Sequence, residues 1–155
     1  MTTLTATELR EYIIGAWTLE SYQSSALDGS DVRYPLGVDA RGIIMYTADG
    51  YMSAQIMRVD RPEFQVGDLA AADKDELAAA ASGYLAYTGP YSVTDGILAH
   101  HVDVSLLPNW IGGTQYRAAQ IAESRLELSP TKPVLIDGGQ PRKGRLVWRR
   151  ARPSD

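Results

Sequence analysis

Two short breaks, Ala48-Asp49-Gly50 and Thr94-Asp95-Gly96, each separate two runs of strand-forming residues, and they constrain this chain more than any other feature. A glycine at the end of such a loop supplies the positive φ that a tight hairpin requires. Gly42 to Thr47 with Tyr51 to Arg58, and Tyr84 to Val93 with Ile97 to Leu106, therefore read as antiparallel pairs. Two-residue alternation begins earlier, at Trp17, with Trp17, Leu19 and Ser21 on one face and Thr18, Glu20 and Tyr22 on the other. Leu27-Asp28-Gly29-Ser30-Asp31 is a turn. Further strands are predicted at Thr114 to Ile121, Arg125 to Leu128 and Arg145 to Arg150, the last after a Pro- and Gly-rich connection from Ser129 to Gly144. Both faces of the 42–58 hairpin are almost equally apolar, so periodicity does not say which one points inward.

Only two segments read as helix. Thr5 to Tyr12 opens with Thr5 and Glu8 at capping-box spacing, where hydroxyl and carboxylate each satisfy an orphan backbone donor, and Gly15 ends it. The second runs from about Ala72 to Ser82, with Asp73, Asp75 and Glu76 in its first turn, an alanine-rich interior and Gly83 at its end. Eight or so short strands with so little helix predict an all-β sandwich or barrel. Eight antiparallel strands closed on themselves leave room for one small ligand. The 155 residues read as one domain, 1–155, without repeat, linker or low-complexity tract.

Composition narrows the chemistry. The absence of cysteine excludes disulfides, thiolate metal sites and a cysteine nucleophile. Residues 1–20 carry acids and lack the basic start and apolar core of a signal peptide, and no apolar run approaches the roughly 18 residues of a membrane span. The expectation is a cytoplasmic protein with no membrane and no nucleic-acid partner; oligomeric state stays open, a homodimer included. Nine tyrosines and three tryptophans stand against one phenylalanine, Phe64. Aromatics with a polar tip suit the lining of a ligand cavity, although tyrosine is also a good strand former.

His100 and His101 are the only histidines, and as strand neighbours they point to opposite faces, so they cannot share a metal. Leu98, Val102, Val104 and Leu106 share a face with His100, which places His100 inside and His101 outside. An inward histidine serves as general acid or base, as a haem ligand, or simply as a hydrogen-bonded core residue. A polar cavity would instead turn His101 and Asp103 inward. No metal motif, phosphate loop or serine-hydrolase elbow is present, and neither metal nor cofactor is expected. Six cations between Arg142 and Arg152 form a basic cluster, read here as a solvated strand pairing with the acidic body. Arg117 lies mid-strand: facing inward it would anchor a carboxylate or enolate oxygen, facing outward it is an ordinary strand charge.

Gly15-Ala16-Trp17 after a short helix resembles the G-x-W signature of lipocalins, and the resemblance implies that Arg149 or Arg150 crosses the barrel floor to stack on Trp17 as the family's arginine does. The stretches 34–57, AYTGPYSV at 86–93, HHVDVSLLPNW at 100–110 and RLVWRR at 145–150 resemble the small bacterial lipocalin-like domain proteins over nearly the whole chain. The resemblance implies an up-and-down antiparallel barrel of about eight strands with an internal pocket. Related barrels act as carriers, as allene oxide cyclases and as cofactor-free cyclases or isomerases. Three functions follow as expectations: a cofactor-independent isomerase, cyclase or dehydratase for an apolar or polyketide-like molecule; a non-catalytic carrier of a hydrophobic ligand; and a haem-binding barrel. For the first, His100, Tyr46 and Arg117 are the catalytic candidates, and Trp17, Tyr87, His101, Asn109, Trp110 and Tyr116 the ligand-binding ones. Pro108-Asn109-Trp110 with the following glycines suits a cavity rim or lid.

Overall fold

The computed structural model describes residues 3–135 and 139–155. In chain order it comprises α1 (Ala6–Ile13), β1 (Gly15–Ser25), β2 (Arg41–Tyr46), β3 (Tyr51–Met57), α2 (Lys74–Ser82), β4 (Tyr84–Thr94), β5 (Ile97–His101) and β6 (Val104–Ser105). It continues with β7 (Thr114–Ala122), β8 (Arg125–Pro130), β9 (Val134–Leu135) and β10 (Pro141–Arg150). Eight strands close an antiparallel ring in the order β1-β2-β3-β4-β5-β7-β8-β10, with β10 returning to β1. The two-residue strands β6 and β9 are side additions on β4 and β10. This is the all-β barrel with one leading and one inserted helix that the strand pattern allows, in the up-and-down order that the family resemblance implies.

The two ends of the barrel differ. Residues 47–50, 95–96 and 123–124 are tight turns at one end, whereas 26–40, 58–83 and 102–113 are long connections at the other. Helix α1 closes the tight-turn end. Its Thr5–Glu8 capping box forms as predicted, its Arg10 lies over the Tyr91 ring, and the Tyr12 hydroxyl donates to the Glu123 carbonyl. Gly15, at φ +118°, turns the chain from the helix into β1, a conformation a side chain would resist. Trp17 follows it directly into the core and donates its indole N–H to the Ile13 carbonyl.

Three local departures from strict alternation matter for the interior. In β1 the register against β10 slips between Leu19 and Ser21, leaving Glu20 as an extra residue. Such a bulge resets the side-chain parity, so Tyr22 is buried like Trp17 instead of lying on the face opposite it as alternation predicts, and Ser24 is buried as well. The predicted 97–106 strand also breaks. Leu98, His100 and Val102 are buried, but Val104 and Leu106 are exposed, contrary to the expected shared face. Opposite the break stands Gly89-Pro90, where proline has no N–H for the ladder and the His101 carbonyl fills the place of a Gly89 side chain. Finally, strand enters the predicted 129–144 connection: β8 runs on to Pro130, β10 begins at Pro141, and Val134–Leu135 pairs with Pro141 and Arg142, with 136–138 outside the described residues. Helix α2 starts at Lys74 because Asp73 caps it, bonding the Glu76 amide from outside the first turn.

Barrel curvature settles the two-sided hairpin. Ile44, Tyr46, Met52, Ala54 and Ile56 point inward, leaving Ile43 and Met45 half-exposed on the outer face.

Candidate functional site

β2, β4 and β5 bring three polar side chains together on the inner face. His100, wholly shielded from solvent, sits between two tyrosine hydroxyls: Tyr46 Oη lies 2.8 Å from Nε2 and Tyr87 Oη 2.9 Å from Nδ1. Burial pushes His100 down to about 3, with the positive charge of Arg117 and then His101 adding to the effect. Burial also raises Tyr46 well above the ordinary tyrosine range and raises Tyr87, the latter partly offset by the Arg117 guanidinium beside it. Tyr22 is pushed up to about 12 by burial, against a smaller pull from Arg117. At neutral pH the histidine is therefore uncharged and the tyrosines are protonated. A neutral imidazole carries one N–H and one acceptor nitrogen, so one tyrosine donates to His100 and the other accepts from it.

Arg117 of β7 faces the same interior and is nine-tenths buried. Nη1 donates to the Tyr116 carbonyl at 3.0 Å and Nη2 to Gln115 Oε1 at 3.3 Å. No carboxylate pairs with it among the described residues, whose buried polar and charged members are Ser24, His100, Arg117 and Arg142. Arg142 shows the contrast, and it corrects the reading of the basic cluster as fully solvated. Its guanidinium is buried and bonded to Ser24 Oγ at 3.0 Å and to Asp31 Oδ2 at 3.0 Å. Arg145 and Arg149 do pair with acids on the surface, Glu127 and Glu20. One further donor, the indole N–H of Trp148 on the inner face of β10, is buried without a partner.

The long-connection end reaches this cluster through the 102–113 segment. A single 3₁₀ turn at Pro108–Trp110 holds Trp110 edge-on against Tyr87, ring centroids 5.3 Å apart, and Asn109 is exposed beside it. The other candidates lie elsewhere. Trp17 sits at the tight-turn end beneath Arg150, whose guanidinium is 4.2 Å above its ring and donates to the Ile14 carbonyl. His101 is exposed and bonds Thr114 Oγ1 at 3.0 Å, and Tyr116 projects half-exposed from the outer face. Tyr22, Ser24 and Trp148 were not among the sequence candidates: the first two are hidden by the bulge at Glu20, and an unpaired indole N–H has no sequence signal.

Two open cavities lie outside this cluster. A groove of about 570 Å³ on the outer flank of β2–β4 is lined by Ile43, Met45, Met57, Tyr84, Arg41 and Gln55 with others. It opens where β1 leaves β2 beyond Thr18. A second, of about 450 Å³, lies at the long-connection end near Lys132, Lys143 and Arg145. Among the described residues no group of three His, Cys, Asp or Glu could hold a metal ion, and no helix is long and apolar enough to cross a membrane.

The family model described as a lipocalin-like domain matches residues 14–151. The 4'-hydroxy-3'-methoxypropiophenone carrier protein ppsC of Aspergillus oryzae (strain ATCC 42149 / RIB 40) is 38% identical over 107 residues, covering 64% of this chain and 96% of that protein. The crystal structure of a lipocalin-like protein from Bacteroides uniformis ATCC 8492 aligns with a TM-score of 0.45 at 17% identity, over 90% of this chain and 98% of that one.

Proposed function

Because this chain belongs to the lipocalin-like domain family, we propose that it binds an oxygenated, polyketide-like aromatic molecule inside its barrel, between the Tyr46–His100–Tyr87 cluster and Trp110. The observation that carries this reading is the buried polar cluster itself. Burying polar side chains in a small barrel costs stability that apolar packing would avoid, and a ligand that uses them supplies the reason to keep them. The carrier of an aryl ketone among its relatives supports the same ligand class. Access is from the long-connection end, by Trp110 swinging off the edge of Tyr87 as a lid.

A catalytic version of this reading rests on one feature, the hydrogen-bonded chain through His100. A neutral histidine between two hydroxyls can pass a proton by changing tautomer, which would serve a cofactor-free isomerisation, cyclisation or dehydration. A haem-ligand role finds less support, because both ring nitrogens of His100 are already engaged.

The test is native mass spectrometry with 4'-hydroxy-3'-methoxypropiophenone, followed by analysis of the released molecule. Retention of one molecule, recovered unchanged, supports a carrier, and recovery of an isomer or dehydrated product supports the catalytic version. Trp110→Ala and Tyr87→Ala should weaken retention, whereas Met45→Glu in the flank groove should leave it within about twofold of wild type. Loss of binding in Met45→Glu alone overturns the interior site.

A further inference from the structure

The interior holds more hydrogen-bond donors than it can use. Tyr46, His100 and Tyr87 contribute three protons, and their two links consume only two of them. Arg117 enters the same interior from the neighbouring strand, β7, where it pairs with Leu98, two residues before His100. Whichever tautomer the imidazole takes, one tyrosine donates to it and the other accepts from it, so the accepting tyrosine keeps an O–H that points away from the chain. To this spare hydroxyl Arg117 adds N–H groups beyond the two engaged by Tyr116 and Gln115, together with a positive charge that no buried carboxylate offsets among the described residues.

We propose that the barrel interior is built to hold an ionised oxygen, a phenolate or enolate on a conjugated ring system, accepted by Arg117 with the spare tyrosine hydroxyl of the Tyr46–His100–Tyr87 chain as second donor. This rests on the interior-binding reading above and assigns the ligand's charge state. The physical argument is compensation: a guanidinium in a low-dielectric interior lacks a counter-charge, and a ligand oxyanion supplies it while accepting the unused donors. The ligand leaves its proton with solvent, because His100 stays neutral beside Arg117 and does not take it.

The experiment compares three probes of similar shape: 4'-hydroxyacetophenone, 4'-methoxyacetophenone and 4-acetylbenzoate. Their affinities are measured by titration calorimetry, and the hydroxy probe is also followed by absorbance, since its phenolate absorbs at longer wavelength than the phenol. The expected result is that the hydroxy probe binds at least about tenfold more tightly than the methoxy probe. It should also show the phenolate band at a pH where the free probe is largely neutral. Arg117→Met should remove both the preference and the band. The spectrum of the wild-type complex decides the matter even if Arg117→Met does not fold. Equal binding of hydroxy and methoxy probes, with no phenolate band, overturns this inference and leaves the binding reading standing. Arg117-dependent binding of 4-acetylbenzoate alone overturns the phenolate and assigns the oxyanion to a carboxylate. Failure of all three probes to bind overturns the binding reading together with this one.

Discussion

Replacing His100 by glutamine should change how stability depends on pH, and the size of that change follows from the site. His100 is fully buried, with its affinity for a proton pushed from an ordinary 6.5 down to about 3. Above pH 6.5 the imidazole is neutral in both the folded and unfolded chain and exerts no pH-dependent pull. Below 6.5 the unfolded chain takes up a proton that the folded chain refuses, so folding stability falls with pH until about 3, where the folded form titrates as well. The gap between the two values corresponds to about 5 kcal/mol in all, of which about 2 to 3 kcal/mol is lost between pH 6.5 and 4.5. Glutamine cannot titrate, and the carboxylates and His101 are common to both proteins. The difference in unfolding free energy between wild type and His100→Gln should therefore shrink by that amount as the pH is lowered. Urea denaturation followed by tryptophan fluorescence at pH 7.5, 6.5, 5.5 and 4.5 measures it. Parallel pH curves for the two proteins would refute a buried, neutral His100.

Three other outcomes are expected. Gly89→Ala places a methyl group on the His101 carbonyl, 1.8 Å away before any adjustment, and should destabilise the fold by at least about 3 kcal/mol in chemical denaturation. Arg150→Met removes the cation above Trp17 and its bond to the Ile14 carbonyl; a loss of about 2 to 4 kcal/mol, with altered Trp17 fluorescence, would register it. Arg142→Met strips partners from buried Ser24 and should cost about 3 kcal/mol, and Arg142→Lys should not restore it, because an ammonium cannot span Ser24 and Asp31 as the fork does. Thermal melts of the two Arg142 variants against wild type read out the difference.

What was legible in the chain was local. Turn chemistry at 48–50 and 94–96, the Thr5–Glu8 box and two-residue alternation each act over a few residues, so they predict about eight ring strands and the two hairpin pairings without reference to anything distant, while the up-and-down order came from the family resemblance. They also favour His100 as the inward histidine, since Leu98 and Val102 flank it within one strand, but the structure decides against the alternative of His101 with Asp103. Parity carries only as far as the next bulge. The extra residue at Glu20 and the break after His101 arise because neighbouring strands must keep their ladders while the sheet curves shut, and neither has a local marker strong enough to read. Closure alone turned Arg117 inward rather than outward and chose Arg150 over Arg149 for the stack on Trp17. It also joined Tyr46 to Tyr87 through one histidine. These contacts unite residues from β2, β4, β5, β7 and β10, and the spacing between them is a property of the closed ring, not of any segment that builds it.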